Sequence, residues 1–182
     1  MKTLYIDTHL YDIHIVLLDG YNVKKEKHII NEKYNSKFLM PSFKEVCDNE
    51  NIDQIIIING PGSFTGVRLG VTVAKTFAYL KKIDIIPFTH FDVMKCLTKE
   101  SDVNFGIDDK NGFFIAEYKK NILSKPIYYV NHSDIKKEIK DTLVTNVSID
   151  YKKIIDFAKE KKKVNPHQVN PVYIKKIGVG ND

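Results

Sequence analysis

The sequence predicts an α/β fold, and three features of the chain lead to this prediction. The first 30 residues contain three strand-like segments separated by short turns. Residues 35–97 then alternate helical segments with short apolar runs that are typical of buried strands. From Asp102 onward, shorter strand-like and helical segments follow. The order β-β-β-α-β-α-β-α is that of an actin-like or sugar-kinase-like (ASKHA) half domain, here with a reduced second lobe.

The N-terminal strands are predicted at residues 3–7, 11–19 and 23–30, and together they form an antiparallel meander. A helix follows at 35–48. Its internal Pro41 either kinks the helix or marks a later start.

The chain is organised around residues 55–80, where a buried strand leads through a glycine-rich turn into a helix. The strand at 55–58 is a continuous run of isoleucines, and the turn at 59–62 stops it. Ser63 or Thr65 can cap the helix, which we expect to end near Leu80.

This central helix has more apolar surface than contact with one sheet requires. On a helical wheel, small residues recur every four positions and form one ridge, which consists of Gly66, Gly70, Ala74 and Ala78. An adjoining arc contains Leu69, Val73, Thr76 and Leu80. Either a second helix of the same domain or a helix of another subunit can cover the excess, and the ridge permits an approach at about 8 Å.

A strand at 83–87 and a helix from Thr89 to about Leu97 complete the first lobe. Beyond them the predicted strands are 103–107, 113–118, 122–130 and 142–145, and the predicted helices are 133–140 and 150–162. We therefore predict an actin-like N-terminal lobe at 1–100 and a reduced C-terminal lobe with a tail at 101–182.

The composition is that of a chain that can bury a core. It has 182 residues, 43% of them hydrophobic and 28% charged. No segment resembles a signal peptide or approaches the ~20 apolar residues that span a membrane. Two isolated cysteines predict a reducing cytoplasm and argue against structural zinc. The net charge of +5 comes from scattered lysines, which are typical of a solvated exterior and leave a weak nucleic-acid surface as an alternative.

The glycine-rich turn invites comparison with a phosphate-binding loop, but no lysine follows its glycines as the Walker pattern requires. Asp7 ends the first strand, where actin-like kinases place a metal-handling carboxylate. The adjoining turn at 8–10 lacks the glycine that a phosphate cradle needs, so we expect weak ATP binding or none. We interpret Asp7 as a strand-end carboxylate that accepts hydrogen bonds from backbone N–H groups.

No other pattern predicts catalysis. The six histidines show no metal-binding spacing, which argues against a metal site. Asp108 and Asp109 form a carboxylate pair in a predicted loop, where such residues usually cap turns. We therefore predict no catalytic residue, no metal and no cofactor.

Residues 60–70 resemble the signature of the TsaB (YeaZ) family, the non-catalytic partners in making threonylcarbamoyladenosine (t6A) in tRNA. The signature positions present here are Gly60, Pro61, Gly62, Ser63, Phe64, Thr65, Gly66 and Arg68. Weaker similarities to the same family lie at residues 4–8, 38–41, 107–118 and 171–175.

The resemblance implies a degenerate actin-like fold and an accessory subunit that acts on position 37 of tRNA only through a complex. The partner is a TsaD-like catalytic subunit, or a second copy when the protein is alone. The helix after Gly66 is the implied contact, with interface residues Gly66, Leu69, Gly70, Val73, Ala74 and Phe77. A TsaE-like ATPase joins the full complex, tRNA is bound indirectly, and Asp7 and Asp108 are candidates for a vestigial site.

Two features depart from the family. Its histidine before the first helix is replaced by Tyr34-Asn35, and the second lobe is shorter. Both affect any site shared between the lobes. Two other functions stay open: a small sugar-kinase-like phosphotransferase, which Asp7 favours, and an RNA-binding module, which only the charge supports. A nucleotide titration tests the first, and salt-dependent tRNA binding by the protein alone tests the second.

Overall fold

A computed structural model describes residues 1–30 and 35–175, and it contains two β-sheets. The first sheet has the strand order β3-β2-β1-β4-β5. The predicted antiparallel meander consists of β1 (Lys2–Asp7), β2 (Ile13–Asp19) and β3 (Asn22–Ile29). β4 (Gln54–Ile58) and β5 (Ile85–Phe88) continue the sheet in parallel with β1.

The helices of the first part begin and end close to their predicted positions. α1 (Asn35–Cys47) continues through Pro41, so the later start is wrong. α2 (Phe64–Lys81) begins after Ser63, whose hydroxyl accepts the backbone N–H of Gly66 and selects Ser63 over Thr65 as the cap. α3 (His90–Leu97) begins after Thr89, the predicted cap.

β4 is buried on both faces, as its isoleucine run predicts. Ile55 and Ile57 point to the layer that contains α1 and α2, whereas Ile56 and Ile58 belong to the core on the opposite face. A central parallel strand has this pattern because helices cover both sides of its sheet.

The second sheet is built around a hairpin of β6 (Val103–Asp109) and β7 (Gly112–Lys119). The other strands are β8 (Ile122–Leu123), β9 (Tyr128–Asn131) and β10 (Leu143–Val144). β10 pairs with β6, and both β8 and β9 pair with β7.

Two predicted elements of this region are wrong in extent. The strand at 122–130 is interrupted between β8 and β9, where Pro126 has no N–H to donate to a ladder. The helix at 133–140 shrinks to α4 (Lys137–Lys140), because Asn131 closes a turn: its carbonyl oxygen accepts the N–H groups of Asp134 and Ile135.

The chain returns to the first sheet after forming the second. α5 (Tyr151–Glu160) begins after its cap Asp150 and packs on the first sheet, through the side chains of Ile154, Ile155 and Ala158. Val164 then forms an antiparallel bridge with Ile85. The lobe boundary at residue 100 stays a prediction.

α3 lies between the two sheets. Its Val93 belongs to the core of the first sheet, and its Phe91 and Met94 pack with Phe105 and Phe114 of the second. Across residues 1–30 and 35–175, no helix combines the length and apolarity needed to cross a membrane. Tyr34, the predicted departure from the family, lies outside the described residues.

Candidate functional site

The candidate site lies where the parallel strands of the first sheet end. Because β1, β4 and β5 are parallel, their carboxyl ends meet at one edge, which is where open α/β sheets bind ligands. Asp7 ends β1, the signature loop follows β4, and α3 begins with His90 directly after β5 and Thr89. A cleft of about 880 Å³ between the sheets is lined by Asp7, His9 and His90, and by Asp108.

Asp7 is the centre of a largely buried polar cluster. Its Oδ1 accepts the backbone N–H of His9 at 3.1 Å, as its interpretation as a strand-end carboxylate predicts, and lies 2.5 Å from His9 Nδ1. The His90 Nδ1 atom is 3.9 Å from Asp7 Oδ2. The two imidazole rings stack at 4.0 Å between centroids, with planes 22° apart.

The surroundings set the charges of this cluster. Burial opposes ionisation of Asp7, but the charge and hydrogen bonds of His9 outweigh it and hold the pKa of the carboxyl well below its usual range. Burial also lowers the pKa of His90 to about 3, with the charge of His9 acting in the same direction. Asp7 is therefore an anion and His90 a neutral imidazole at neutral pH.

Asp108 reaches the same cleft from the second sheet. It is largely exposed, and its Oδ1 atom lies 3.1 Å from the Nε2 atom of His132. The structure thus brings the two predicted vestigial carboxylates to one cleft. A depression of about 940 Å³ elsewhere contains no predicted site residue.

The glycines of the signature allow close packing against the turn at 8–10. A Cβ atom at Gly62 or Gly66 would overlap the carbonyl oxygen of His9 or Thr8, respectively. Two hydrogen bonds hold these segments together: Ser63 N–H donates to the His9 carbonyl at 2.6 Å, and the Thr8 hydroxyl donates to the Gly66 carbonyl at 2.7 Å. The chain's own turn at 8–10 therefore occupies the space beside these glycines that a phosphate would need in order to bind the loop.

Gly60 and its neighbours connect the loop to two further segments. Gly60 has a φ of 118°, which favours glycine, and it precedes a cis bond to Pro61. Its carbonyl accepts the backbone N–H of His90 at 2.9 Å, which fixes the start of α3. The preceding carbonyl, of Asn59, accepts the N–H of Val172 at 2.7 Å, so the loop also anchors the C-terminal segment.

Phe64, Thr65 and Arg68 form the exposed end of the signature. The guanidinium of Arg68 lies 3.5 Å from the ring centroid of Phe64, and its Nε donates to the Tyr173 hydroxyl at 2.7 Å. Phe64, Thr65 and Tyr173 also line a smaller cleft of about 450 Å³ beside the second sheet.

The structure divides the predicted partner interface into two sets. Gly66, Gly70 and Ala74 are buried on the side of α2 that faces the chain's own sheet; a methyl group at Gly70 would meet the Thr8 hydroxyl and Ile57. The sequence left open whether this small-residue ridge meets a partner or the chain's own sheet, and in the structure it packs on the turn at 8–10 and on β4. The second set, Leu69, Val73 and Phe77, is only partly buried.

Sequence reasoning missed His9 and His90. They are far apart in the chain, and no spacing rule connects them. The sequence does contain a usable signal. Asp7 ends one parallel strand and His9 comes two residues later, whereas His90 follows another parallel strand whose carboxyl end lies at the same edge of the sheet.

Comparison with known proteins supports the resemblance. Residues 30–104 match the TsaD family model, described as tRNA N6-adenosine threonylcarbamoyltransferase. A relative from Bacillus subtilis, named tRNA threonylcarbamoyladenosine biosynthesis protein TsaB, is 39% identical over 90 residues, which cover 47% of this chain and 39% of that protein. The protein of the same name from Buchnera aphidicola is 26% identical over 159 residues, covering 72% of this chain and 71% of the relative. The Haemophilus influenzae TsaB is 30% identical over 102 residues, which cover 52% of this chain and 42% of that protein. Two of these three matches therefore span less than half of the relative's length.

Two solved structures from Pseudomonas aeruginosa have the same fold. One is YeaZ, with a TM-score of 0.71 at 16% identity over 94% of this chain and 99% of that chain. The other, described as similar to peptidase YeaZ, has a TM-score of 0.71 at 15% identity over 96% of this chain and 99% of that chain. Together with the order of strands and helices, this similarity confirms the predicted actin-like α/β fold. The signature at 60–70, the curated relatives and the fold lead to one conclusion: the chain is similar to the proteins of the TsaB (YeaZ) family.

Proposed function

We propose that this protein is a non-catalytic partner subunit in the biosynthesis of t6A at position 37 of tRNA. In this proposal it binds a TsaD-like catalytic subunit through the outer side of α2. The names of the relatives support the pathway. The match of residues 30–104 to the TsaD family model includes all of α2, which supports pairing between equivalent helices of two similar folds.

The observation that carries the proposal is an apolar strip on the outside of α2. This outer strip consists of Leu69, Thr72, Val73, Thr76 and Leu80. Leu80 is 71% exposed, and its neighbour Tyr79 is 62% exposed. In the described residues, Thr72, Thr76 and Leu80 of this strip are exposed, and Leu69 and Val73 are partly buried. Since the opposite side of the helix packs on the sheet, we infer that a second protein binds the outer strip, because exposed apolar surface often marks interaction sites.

The groove between α1 and α2 extends this surface. Phe77 packs edge-on against Phe43 of α1 at 5.0 Å between ring centroids. Beside them, Met40 is 54% exposed. A helix that lies along α2 would bury Met40 together with the outer strip, in the manner of helix-in-groove recognition.

The packing of the signature loop supports a role without phosphate chemistry. The carbonyl groups of Thr8 and His9 face Gly66 and Gly62 at the distance of direct contact. A nucleotide phosphate that approached the same glycines would meet these oxygens, and both carry partial negative charge. This is the physical basis on which we propose an accessory subunit instead of an enzyme.

Binding to a purified TsaD-like protein tests the proposal, measured by calorimetry with two variants of the outer strip. We expect Val73→Asp to weaken binding at least tenfold, because a charge desolvated at the contact costs more than the ~1.4 kcal/mol that corresponds to that factor. We expect Leu80→Gln to weaken it by a smaller factor. Ile122→Gln is the matched control, since Ile122 on β8 is also 71% exposed.

Thermal unfolding of the same variants separates binding from folding. Binding that is unchanged in both α2 variants, or lost equally in Ile122→Gln, would refute the outer strip as the contact. A loss of binding with a normal melting temperature for Val73→Asp would support it.

The wider assembly follows from the same contact. We propose that the outer strip pairs two copies when the protein is alone, and that a TsaD-like partner replaces the second copy. A TsaE-like ATPase completes the complex, tRNA is bound indirectly, and the protein acts in the cytoplasm. Sedimentation should show a dimer that Val73→Asp dissociates, and reconstituted tRNA modification should require this protein.

A small sugar-kinase-like phosphotransferase is the second candidate function. The cleft between the sheets favours it, because its volume of about 880 Å³ suits a nucleotide and both Asp7 and Asp108 line it. Stoichiometric micromolar binding of ATP by the isolated chain would favour this candidate over the accessory role.

A further inference from the structure

Two histidines in the cleft carry ring nitrogens that are buried and have no hydrogen-bond partner among residues 1–30 and 35–175. They are Nε2 of His9 and Nδ1 of His90, and the His9 residue is only 5% exposed. A buried polar atom without a partner costs free energy, and such atoms in native proteins call for a bound water, ion or ligand. We propose that Asp7, His9 and His90 bind one divalent transition-metal ion, for which zinc is the best-matched probe.

The donor set is chemically suited to such an ion. Two imidazole nitrogens and one carboxylate oxygen form a recurrent set for zinc and other first-row metals that keep open coordination positions. One ligand atom from each of Asp7, His9 and His90 can be chosen so that all three lie within 4.8 Å of one another. In a tetrahedral zinc site, ligand atoms are about 3.4 Å apart, so inward movements of roughly 1 Å complete the geometry.

The three ligands are held by different elements, which makes this a built site. Asp7 ends β1 in the interior of the sheet. His9 is fixed by the bond from Ser63 N–H to its carbonyl, and His90 by the bond from its N–H to the Gly60 carbonyl. The signature loop therefore supports both histidines through backbone hydrogen bonds, although none of its side chains would bind the ion.

Other histidines in the cleft have partners of their own. His14 and His28 stack at 4.5 Å between ring centroids, but His14 pairs with Glu26 at 2.7 Å and His28 pairs with Asp12 at 3.2 Å. Within the part of the chain that the structure describes, Asp7, His9 and His90 form the one group of three such side chains with ligand atoms this close. The remaining positions of the ion would face the cleft, where water or an oxygen donor of a ligand can complete its coordination.

Zinc titration of the metal-free, full-length protein tests the proposal. Calorimetry, with a chromophoric chelator as competitor, should give one ion per chain. We expect each of His9→Gln, His90→Gln and Asp7→Asn to weaken zinc binding tenfold or more. His28→Gln is the matched control, because it removes a histidine from the same cleft and should leave the affinity unchanged.

A measurement on the unmodified protein covers variants that fail to fold. Nitrogen NMR of histidine side chains should show that zinc shifts the resonances of two of the six imidazoles, and that the shifts coincide with the first equivalent. Cobalt should give the visible absorption of a four- or five-coordinate site. The proposal, which does not rest on the role in t6A synthesis, is overturned if the protein binds no zinc, if the three ligand variants bind it normally, or if His28→Gln abolishes binding.

Discussion

Replacing Gly66 with alanine would drive a methyl group into the backbone of the turn that holds His9. A Cβ atom at this position lies inside van der Waals contact of the Thr8 carbonyl oxygen and 3.1 Å from the Leu10 carbonyl oxygen. Both obstacles are backbone atoms, so no side-chain rotation relieves the overlap. α2 must move away from the turn, which also lengthens the 2.7 Å hydrogen bond from the Thr8 hydroxyl to the Gly66 carbonyl.

The expected loss of stability follows from three contributions. Overpacking a fitted contact costs about 1–3 kcal/mol in the free energy of unfolding. Weakening the buried hydrogen bond costs about 0.5–1.5 kcal/mol, and the better helix propensity of alanine offsets about 1 kcal/mol. Gly66→Ala should therefore lower the free energy of unfolding by roughly 0.5–3.5 kcal/mol, which is a fall in Tm of roughly 1–14 °C for a chain of this size.

Thermal unfolding followed by circular dichroism checks this expectation, and two comparisons sharpen it. Thr72→Ala, at an exposed position of the same helix, should change stability by no more than about 0.5 kcal/mol. Gly70→Ala meets the Thr8 hydroxyl instead of backbone. In a Thr8→Ala background the hydroxyl is absent, so adding Gly70→Ala should lower the free energy of unfolding by less than it does in the wild type. Adding Gly66→Ala in the same background should still lower it, because the backbone oxygen remains. A Tm for Gly66→Ala at or above the wild-type value would refute the reasoning, as would equal rescue of both glycine variants.

Three further expectations concern other parts of the molecule. Thr89→Ala removes a capping box in which the Thr89 hydroxyl accepts the Asp92 N–H at 3.1 Å, and it should cost about 0.5–2 kcal/mol in thermal or urea unfolding. The hydrogen bond from Lys2, together with other lysines, lowers the pKa of Glu50 from 4.5 to about 2. Because the folded-state pKa is the lower one, this stabilisation is present above pH 4.5 and is lost as the pH falls toward 2, so the Tm difference between wild type and Glu50→Gln should vanish over that interval. Calorimetry with ATP and the isolated chain should give weak binding or none, and a stoichiometric micromolar affinity would contradict the packing argument for the signature loop.

The sequence alone determined the elements whose signals are local. The isoleucine run at 55–58 predicted a strand buried on both faces, because only a central parallel strand hides four consecutive apolar side chains. Ser63 and Thr89 predicted helix starts, because a hydroxyl that satisfies a free N–H acts within one turn of the chain. The signature at 60–70 was sufficient to indicate the family.

Only the tertiary structure decided which neighbours these elements meet. A helical wheel gives the angle between Gly70 and Val73 but not the direction of the sheet, so it left open which side of the helix packs on the chain's own sheet. The structure packs the ridge on the turn at 8–10. α4 is short because of the turn at Asn131, and the strand is interrupted before β9 at Pro126. The sequence patterns that predicted a longer helix and a longer strand there are only weakly periodic, so these two local features override them.

The cluster of Asp7, His9 and His90 shows the same limit at the candidate site. Each residue ends or follows a strand whose end is readable from the sequence. The three residues lie close together because β1, β4 and β5 are parallel neighbours in one sheet. Strand order is set by long-range pairing and by the cores on both faces of the sheet. The sequence therefore gives the types of the three side chains, but only the fold brings them close together.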